Sequence, residues 1–213
     1  MRVLVVAATD GELASVDARA LPDNHSIDRL ITGVGMVATA AAVGRALART
    51  PYDLALNLGV CGALDRTLLL ASVVHVVSDQ LSELGVEDGP VFVAAHEMGL
   101  VDGDMPPLTG GRLVNAHPPD STTLRGLPQV HGITVNTVHG NDASIAAVRT
   151  RLGPDVESME GAAFMYACLT AGVRFAQVRA VSNHVERRNR AEWRLTEAIA
   201  ALGITATAVI NEL

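Results

Sequence analysis

The chain has 213 residues, enough for one domain with a single large core, and 49% of it is apolar with only 3% aromatic. The formal net charge of −7 argues against nucleic acid or an anionic membrane surface as the main partner, since both select for basic faces. Two isolated cysteines, Cys61 and Cys168, offer neither a disulfide framework nor zinc-type spacing, so the expectation is a cytoplasmic protein.

The pattern predicts a first buried strand over 2–8, too short for a signal h-region or a membrane span. A short helix over 10–20, opened by Asp10, follows. A second strand over 28–32 ends at Thr32-Gly33-Val34-Gly35, and Met36 to Arg49 has helical composition stopped by Pro51. Strands are expected over 53–58 and 72–78. Residues 82–130, rich in Gly and Pro, read as loops with short strands forming a rim or lid. Order returns with a strand at 132–138, helices at 142–152 and 159–171, a strand at 174–181 leading into Ser182-Asn183, and a last helix from about 190 to 212. This alternation predicts a single α/β domain over 1–213, a mainly parallel or mixed twisted sheet covered by helices on both faces. Functional groups in such folds gather at the carboxyl ends of strands.

Several motifs sit at those ends. Gly33-Val34-Gly35 resembles the start of a dinucleotide fingerprint, but Ala38 stands where a third glycine belongs and no Gly-Lys-Ser/Thr follows. Taken alone it is a tight strand–helix turn. Asn57 to Ala63 reads as a second glycine turn after a buried strand, where the backbone could approach a flat ligand. Cys61 within it reads as a small buried hydrophobe rather than a nucleophile. Glu160, in Val156-Glu157-Ser158-Met159-Glu160-Gly161, is placed in the first turn of a helix. There it is either an ordinary first-turn acid or a buried carboxylate suited to a vicinal diol. Glu12, by position alone, is a solvent-facing helix residue. Asn183 could cap a turn or read a base with its amide. Glu186 to Arg190 reads as a solvated charged face. The histidines are scattered without a His-x-x-x-His pair, so no metal and no cofactor are expected.

Together these segments resemble the purine nucleoside phosphorylase/nucleosidase superfamily. The resemblance is carried by Glu12 after the first strand, Thr32 to Gly35, Asn57 to Ala63, Gly140 to Ile145, Ser158 to Ala162 and Arg179 to Asn183. Within that superfamily, Leu84 to Gly89 and Ser182 to Trp193 resemble the futalosine hydrolase family. The resemblance implies a nucleosidase fold and hydrolysis of the N-glycosidic bond of a purine nucleoside, futalosine, on the route to menaquinone. It implies that Glu12 activates the attacking water and that Ser158, Met159 and Glu160 lie at the ribose, with Glu160 on its hydroxyls. It also implies a backbone contact at Gly62 and a place beside the base for Ser144 and Ile145, where an aromatic often stands at the position of Ser144. Asn183 departs from the aspartate of relatives acting on 6-aminopurines. It cannot be a general acid, but its amide can donate to N7 and a 6-oxo group, which favours a hypoxanthine-type base. The resemblance further implies a homo-oligomer.

Three rivals are left open. A phosphorylase would need cations over a phosphate pocket, with Arg2, Arg19, Arg29, Arg45 and Arg49 as candidates, although Val60 stands where phosphate binders often carry a hydroxyl. A non-catalytic nucleotide-binding module would use the same glycine turns. A Rossmann-type dehydrogenase lacks its third glycine and a convincing ribose acid.

Overall fold

The computed structural model describes residues 1–16, 25–89 and 91–213. In chain order the elements are β1 (Arg2–Ala7), α1 (Asp10–Ala14), β2 (Ser26–Ile31), α2 (Met36–Arg49), β3 (Leu54–Ala63), β4 (Val73–Asp79), β5 (Gly85–Asp88), β6 (Val91–Ala94), β7 (Leu108–Thr109), β8 (Arg112–Val114), α3 (Thr122–Gly126), β9 (Gln129–Thr134), α4 (Asp142–Leu152), β10 (Val156–Ser158), α5 (Gly161–Ala171), β11 (Arg174–His184) and α6 (Leu195–Asn211). A single 3₁₀ turn, Arg190–Glu192, precedes α6. The expected helix over 10–20 is short, and its stretch beyond Val16 lies outside the described residues.

The sheet is mixed. β1 runs parallel to β2 and β3, and β3 runs parallel to β11 along its whole length. β11 then pairs antiparallel with β4, β4 parallel with β9, β9 parallel with β10, and β10 antiparallel with the far end of β3. These five pairings close a ring, β3-β11-β4-β9-β10, with β1 and β2 extending from one side and β8 and β7 from the other. Val74, Val76, Cys61, Ala63, Val130, Val156 and Val181, drawn from all five ring strands, pack as one cluster.

Strand periodicity of two assigns the remaining side chains to opposite faces. Val3, Val5 and Ala7 of β1 join Leu54, Leu56 and Leu58 of β3 and Ala176, Val178 and Ala180 of β11 against Ala198, Leu202, Ala206, Val209 and Ile210 of α6. Leu4 and Val6, with Ala55 and Phe175, face Val43 of α2 and Phe164, Met165 and Cys168 of α5. On this second face three positions are polar: Asn57, Gln177 and Arg179, each no more than 1% exposed.

Two sequence expectations are corrected. Gly59 to Ala63 is no turn. It continues β3, because its carbonyls and amides are taken up by β11 on one edge and β10 on the other. Asn183 caps nothing, since it lies within β11, where a bulge between Val181 and Asn183 turns the strand end. The short strands expected over 82–130 are the β5–β6 hairpin and the β7–β8 pair, and the region also holds α3, a helix that the composition did not reveal. It walls a cavity of about 270 Å³ with Tyr166 of α5 on its far side.

Candidate active site

The site forms where β1, β3 and β11 end beside the N-terminus of α5. Glu12 is held in a capping box. Thr9 N–H and Oγ1 donate to Glu12 Oε2 at 3.0 and 2.7 Å, and Thr9 Oγ1 in turn accepts from Glu12 N–H. The box turns the carboxylate inward, so Oε1 accepts from Val60 N–H at 3.1 Å. Glu12 is 6% exposed, and the solvent-facing reading of its position is overturned.

Glu160 is the N-cap residue of α5, one position before the helix rather than within its first turn, and its side chain makes no capping bond. The first helical amides are served by other side chains. Gly161 N–H donates to Ser158 Oγ at 3.2 Å, and Ala162 N–H to Thr134 Oγ1 at 2.7 Å. Glu160 is thereby free to reach across to α2, where Oε1 accepts from Gly35 N–H at 3.1 Å. Gly35 has φ +99°, open to glycine, and it aims its amide at this carboxylate. The Gly33-Val34-Gly35 turn therefore serves a side chain of another element.

Beside Glu160 lies Arg179, 1% exposed. Its Nη2 donates to Asn57 Oδ1 at 2.6 Å and its Nη1 to Glu160 Oε2 at 3.4 Å. A Cβ on Gly59 would overlap Nη1 and lie 3.1 Å from Glu12 Oε1. The missing side chain at Gly59 thus leaves room for the guanidinium that pairs with Glu160. Sequence reasoning quoted Arg179 and Asn57 without giving either a role. The available signal was a charge inside an otherwise uncharged, mostly apolar strand segment, Phe175 to Val181, since a buried arginine requires partners.

A second group of residues lies further along β3 and β11. Gly62, His139, Gly140, Glu157, Asn183, His184, Glu186, Arg188 and Trp193 line one pocket. Asn183 Nδ2 and Glu157 Cγ flank Gly62, 3.4 and 3.5 Å from where its Cβ would stand. Asn183 Oδ1 accepts from Ser182 Oγ at 2.9 Å, and Nδ2 donates to His184 O at 3.0 Å, leaving one amide hydrogen uncommitted. Glu157 accepts from His139 N–H at 3.0 Å and contacts His139 Nδ1 at 2.6 Å.

Not every expected residue lines these pockets. Ser144 is exposed and donates to Asn141 O in its own helical turn. Ile145 is buried with Val135 and Val185, and Val185 is the residue a Gly62 side chain would strike. Ser158 serves the helix amide, and Met159 is half-buried beside it. Burial pushes the Cys61 thiol up to about 12, which fits a hydrophobe and not a nucleophile. Of the proposed phosphate cations, Arg2 pairs with Asp28 at the surface, Arg29 donates to Val16 O, Arg45 and Arg49 lie on α2, and Arg19 is outside the described residues.

The Phosphorylase superfamily model matches residues 30–211. Futalosine hydrolase of Thermus thermophilus is 34% identical over 189 residues, covering 86% of this chain and 80% of that one. Futalosine hydrolase of Acidothermus cellulolyticus is 35% identical over 196 residues, covering 83% and 75%. Among solved structures, the 5′-methylthioadenosine/S-adenosylhomocysteine nucleosidase of Colwellia psychrerythraea, in complex with adenine, shares the fold at TM-score 0.79 and 18% identity, covering 100% of this chain and 96% of that one. Futalosine hydrolase of Helicobacter pylori does so at TM-score 0.81 and 12% identity, covering 100% and 98%. The chain belongs to the futalosine hydrolase family of the phosphorylase superfamily.

Proposed function

We infer that the protein hydrolyses the N-glycosidic bond of futalosine, releasing hypoxanthine and dehypoxanthine futalosine, a step on the futalosine route to menaquinone. The observation that carries this reading is the pair of buried carboxylates, Glu12 and Glu160, at the strand ends, with the buried Arg179 guanidinium held against Glu160. As the C1′–N9 bond lengthens, the ribosyl carbon gains positive charge. Glu12 Oε1, which accepts only from Val60 N–H, has a lone pair left to take the proton of an attacking water. Glu160, anchored by Gly35 and Arg179, accepts the 2′ and 3′ hydroxyls and holds the sugar, with Met159 packed beside it. The pocket lined by Gly62 and Asn183 takes the base, and Asn183 donates to it as negative charge builds there. Ile145 supports the pocket through Val185, and Ser158 keeps α5 capped so that Glu160 can turn away. Ser144, adjacent in the same helix, keeps only the place beside the base that the family resemblance implies.

Water is favoured over phosphate as nucleophile. The Val60 amide, a donor that an anion would seek, already serves a carboxylate, and a second anion against Glu12 would be repelled. Release of hypoxanthine from futalosine, measured with and without phosphate and against inosine and methylthioadenosine, tests the reading. Phosphate-independent cleavage of futalosine is the expected result; strictly phosphate-dependent cleavage, or tight binding without release, would overturn it. The same reading places the enzyme in the cytoplasm as a homo-oligomer, and the exposed Val34 and Val37 at the Gly35 turn supply apolar surface for a second copy. No described helix is long and apolar enough to cross a membrane.

A further inference from the structure

Asn183 can donate a hydrogen bond to the departing base but cannot give up a proton, so the reaction proposed above lacks an acid at the base. We propose that His139 is that acid, a catalytic residue, with Glu157 as the group that fixes its ring. The assignment rests on the nucleosidase reading.

The pocket beside Gly62 is lined by five titratable side chains: His139, Glu157, His184, Glu186 and Arg188. Four are committed elsewhere. His184 Nε2 lies 3.0 Å from Leu68 O. Glu186 pairs with Arg66 at 2.7 Å. Arg188 stacks over Trp193 at 5.9 Å. Glu157, 4% exposed, is occupied by the His139 amide and ring. His139 remains. Its Nδ1 faces Glu157, which orients the imidazole and leaves Nε2 as the nitrogen without a partner among the described residues. The backbone and side-chain contacts to one carboxylate hold the residue at both ends. Glu157 Cγ and Asn183 Nδ2 both stand close to the position a Gly62 Cβ would take, at 3.5 and 3.4 Å. The same cleft thus presents an amide donor and a His–Glu dyad to one base.

The balance is simple. The C1′–N9 electron pair passes to the base, the imidazolium Nε2–H gives its proton to N7, and neutral imidazole keeps its Nδ1–H on Glu157. Water adds to C1′ and its proton goes to Glu12. Transfer of that proton through solvent to His139 restores both groups. His139 is therefore active in its protonated form, and loss of that proton at alkaline pH stops the step.

The test compares the wild type with His139→Asn and Glu157→Gln on futalosine and on a 4-nitrophenyl riboside, whose phenolate departs without a proton. His139→Asn is expected to lower kcat on futalosine by about 10²- to 10³-fold while changing the nitrophenyl rate by less than about threefold. The alkaline limb of its kcat profile should vanish. Glu157→Gln should show the same substrate selectivity with a smaller loss, near tenfold. Equal losses on both substrates, or an alkaline limb that persists in His139→Asn, would reduce the dyad to a structural role. The pH profile decides alone if the nitrophenyl riboside is not turned over. A wild type that cleaves neither substrate would remove the nucleosidase reading itself, a result distinct from failure of His139.

Discussion

Gly59→Ala is the sharpest perturbation of the site, because it adds one methyl group and no charge. Residue 59 lies in the middle of β3, hydrogen-bonded to β11 along its edge, so the backbone cannot step aside. The new Cβ would occupy the place of Arg179 Nη1 and stand 3.3 Å from Cζ. The guanidinium has to withdraw, losing its bond to Asn57 Oδ1 at 2.6 Å and its contact with Glu160 at 3.4 Å. Both losses occur in a site where Arg179 is 1% and Glu160 6% exposed. Separating a buried charge from its partners costs about 3–5 kcal/mol, and the gain from replacing a strand glycine offsets roughly 0.5–1 kcal/mol of it. The net loss is about 2–4 kcal/mol, which for a domain of this size lowers Tm by roughly 5–15 °C. Glu160 would lose one of its two anchors, so kcat/KM on futalosine should fall about tenfold or more. Thermal unfolding and steady-state hypoxanthine release measure the two effects. A variant within 2 °C of the wild type and with unchanged kcat/KM would show that the bonds of Arg179 to Asn57 and Glu160 do not depend on the space at Gly59, and this account of the site would fall.

Other outcomes follow from the same geometry. Glu12→Gln should lower kcat by about 10²- to 10⁴-fold with KM nearly unchanged. Its amide nitrogen must face the Val60 or Thr9 donors, so urea unfolding should also report a loss of about 1–3 kcal/mol; a variant retaining more than a tenth of the wild-type kcat would exclude Glu12 as the base. Asn183→Asp places a carboxylate oxygen against the 6-oxo group, a mismatch of about 1–3 kcal/mol. The ratio of kcat/KM for hypoxanthine over adenine nucleosides should drop at least tenfold, and an unchanged ratio would count against base reading by Asn183. Asp79, fully buried between Thr134 and Gln177, is pushed by burial from 3.8 up to about 6. Its folded state holds the proton more tightly than the unfolded chain, so its contribution is greatest below about pH 4 and is lost as pH rises through 6, about 3 kcal/mol in all. Asp79→Asn should flatten that slope in denaturant titrations at pH 4 and pH 7, and its amide can serve the otherwise unpartnered Gln177 Oε1. A slope equal to the wild type's would assign the pH dependence to another group.

The sequence by itself determined the layered α/β architecture. The nearly continuous apolar runs of β1 and β11, buried on both faces, and the long apolar runs of α5 and α6, leave few other ways to bury their side chains. It also picked out Glu12, Glu160 and Asn183, because each follows or ends a strand within a motif of the superfamily. Tertiary structure decided what those residues touch. Glycines 59 and 62 read as a turn because glycine breaks regular elements in isolation. Only β11 and β10, paired to its edges, make the segment a strand, and only the neighbours Arg179 and Val185 explain why residues 59 and 62 carry no side chain. The inward turn of Glu12 depends on an amide 48 residues away, and the freedom of Glu160 on hydroxyls of Ser158 and Thr134 that cap α5 in its place. Likewise the His139–Glu157 pair joins a loop to a strand across 18 residues with no periodic signal. Local sequence carries the preference of each segment; the partners of a buried charge are set by which segments the closed ring brings together.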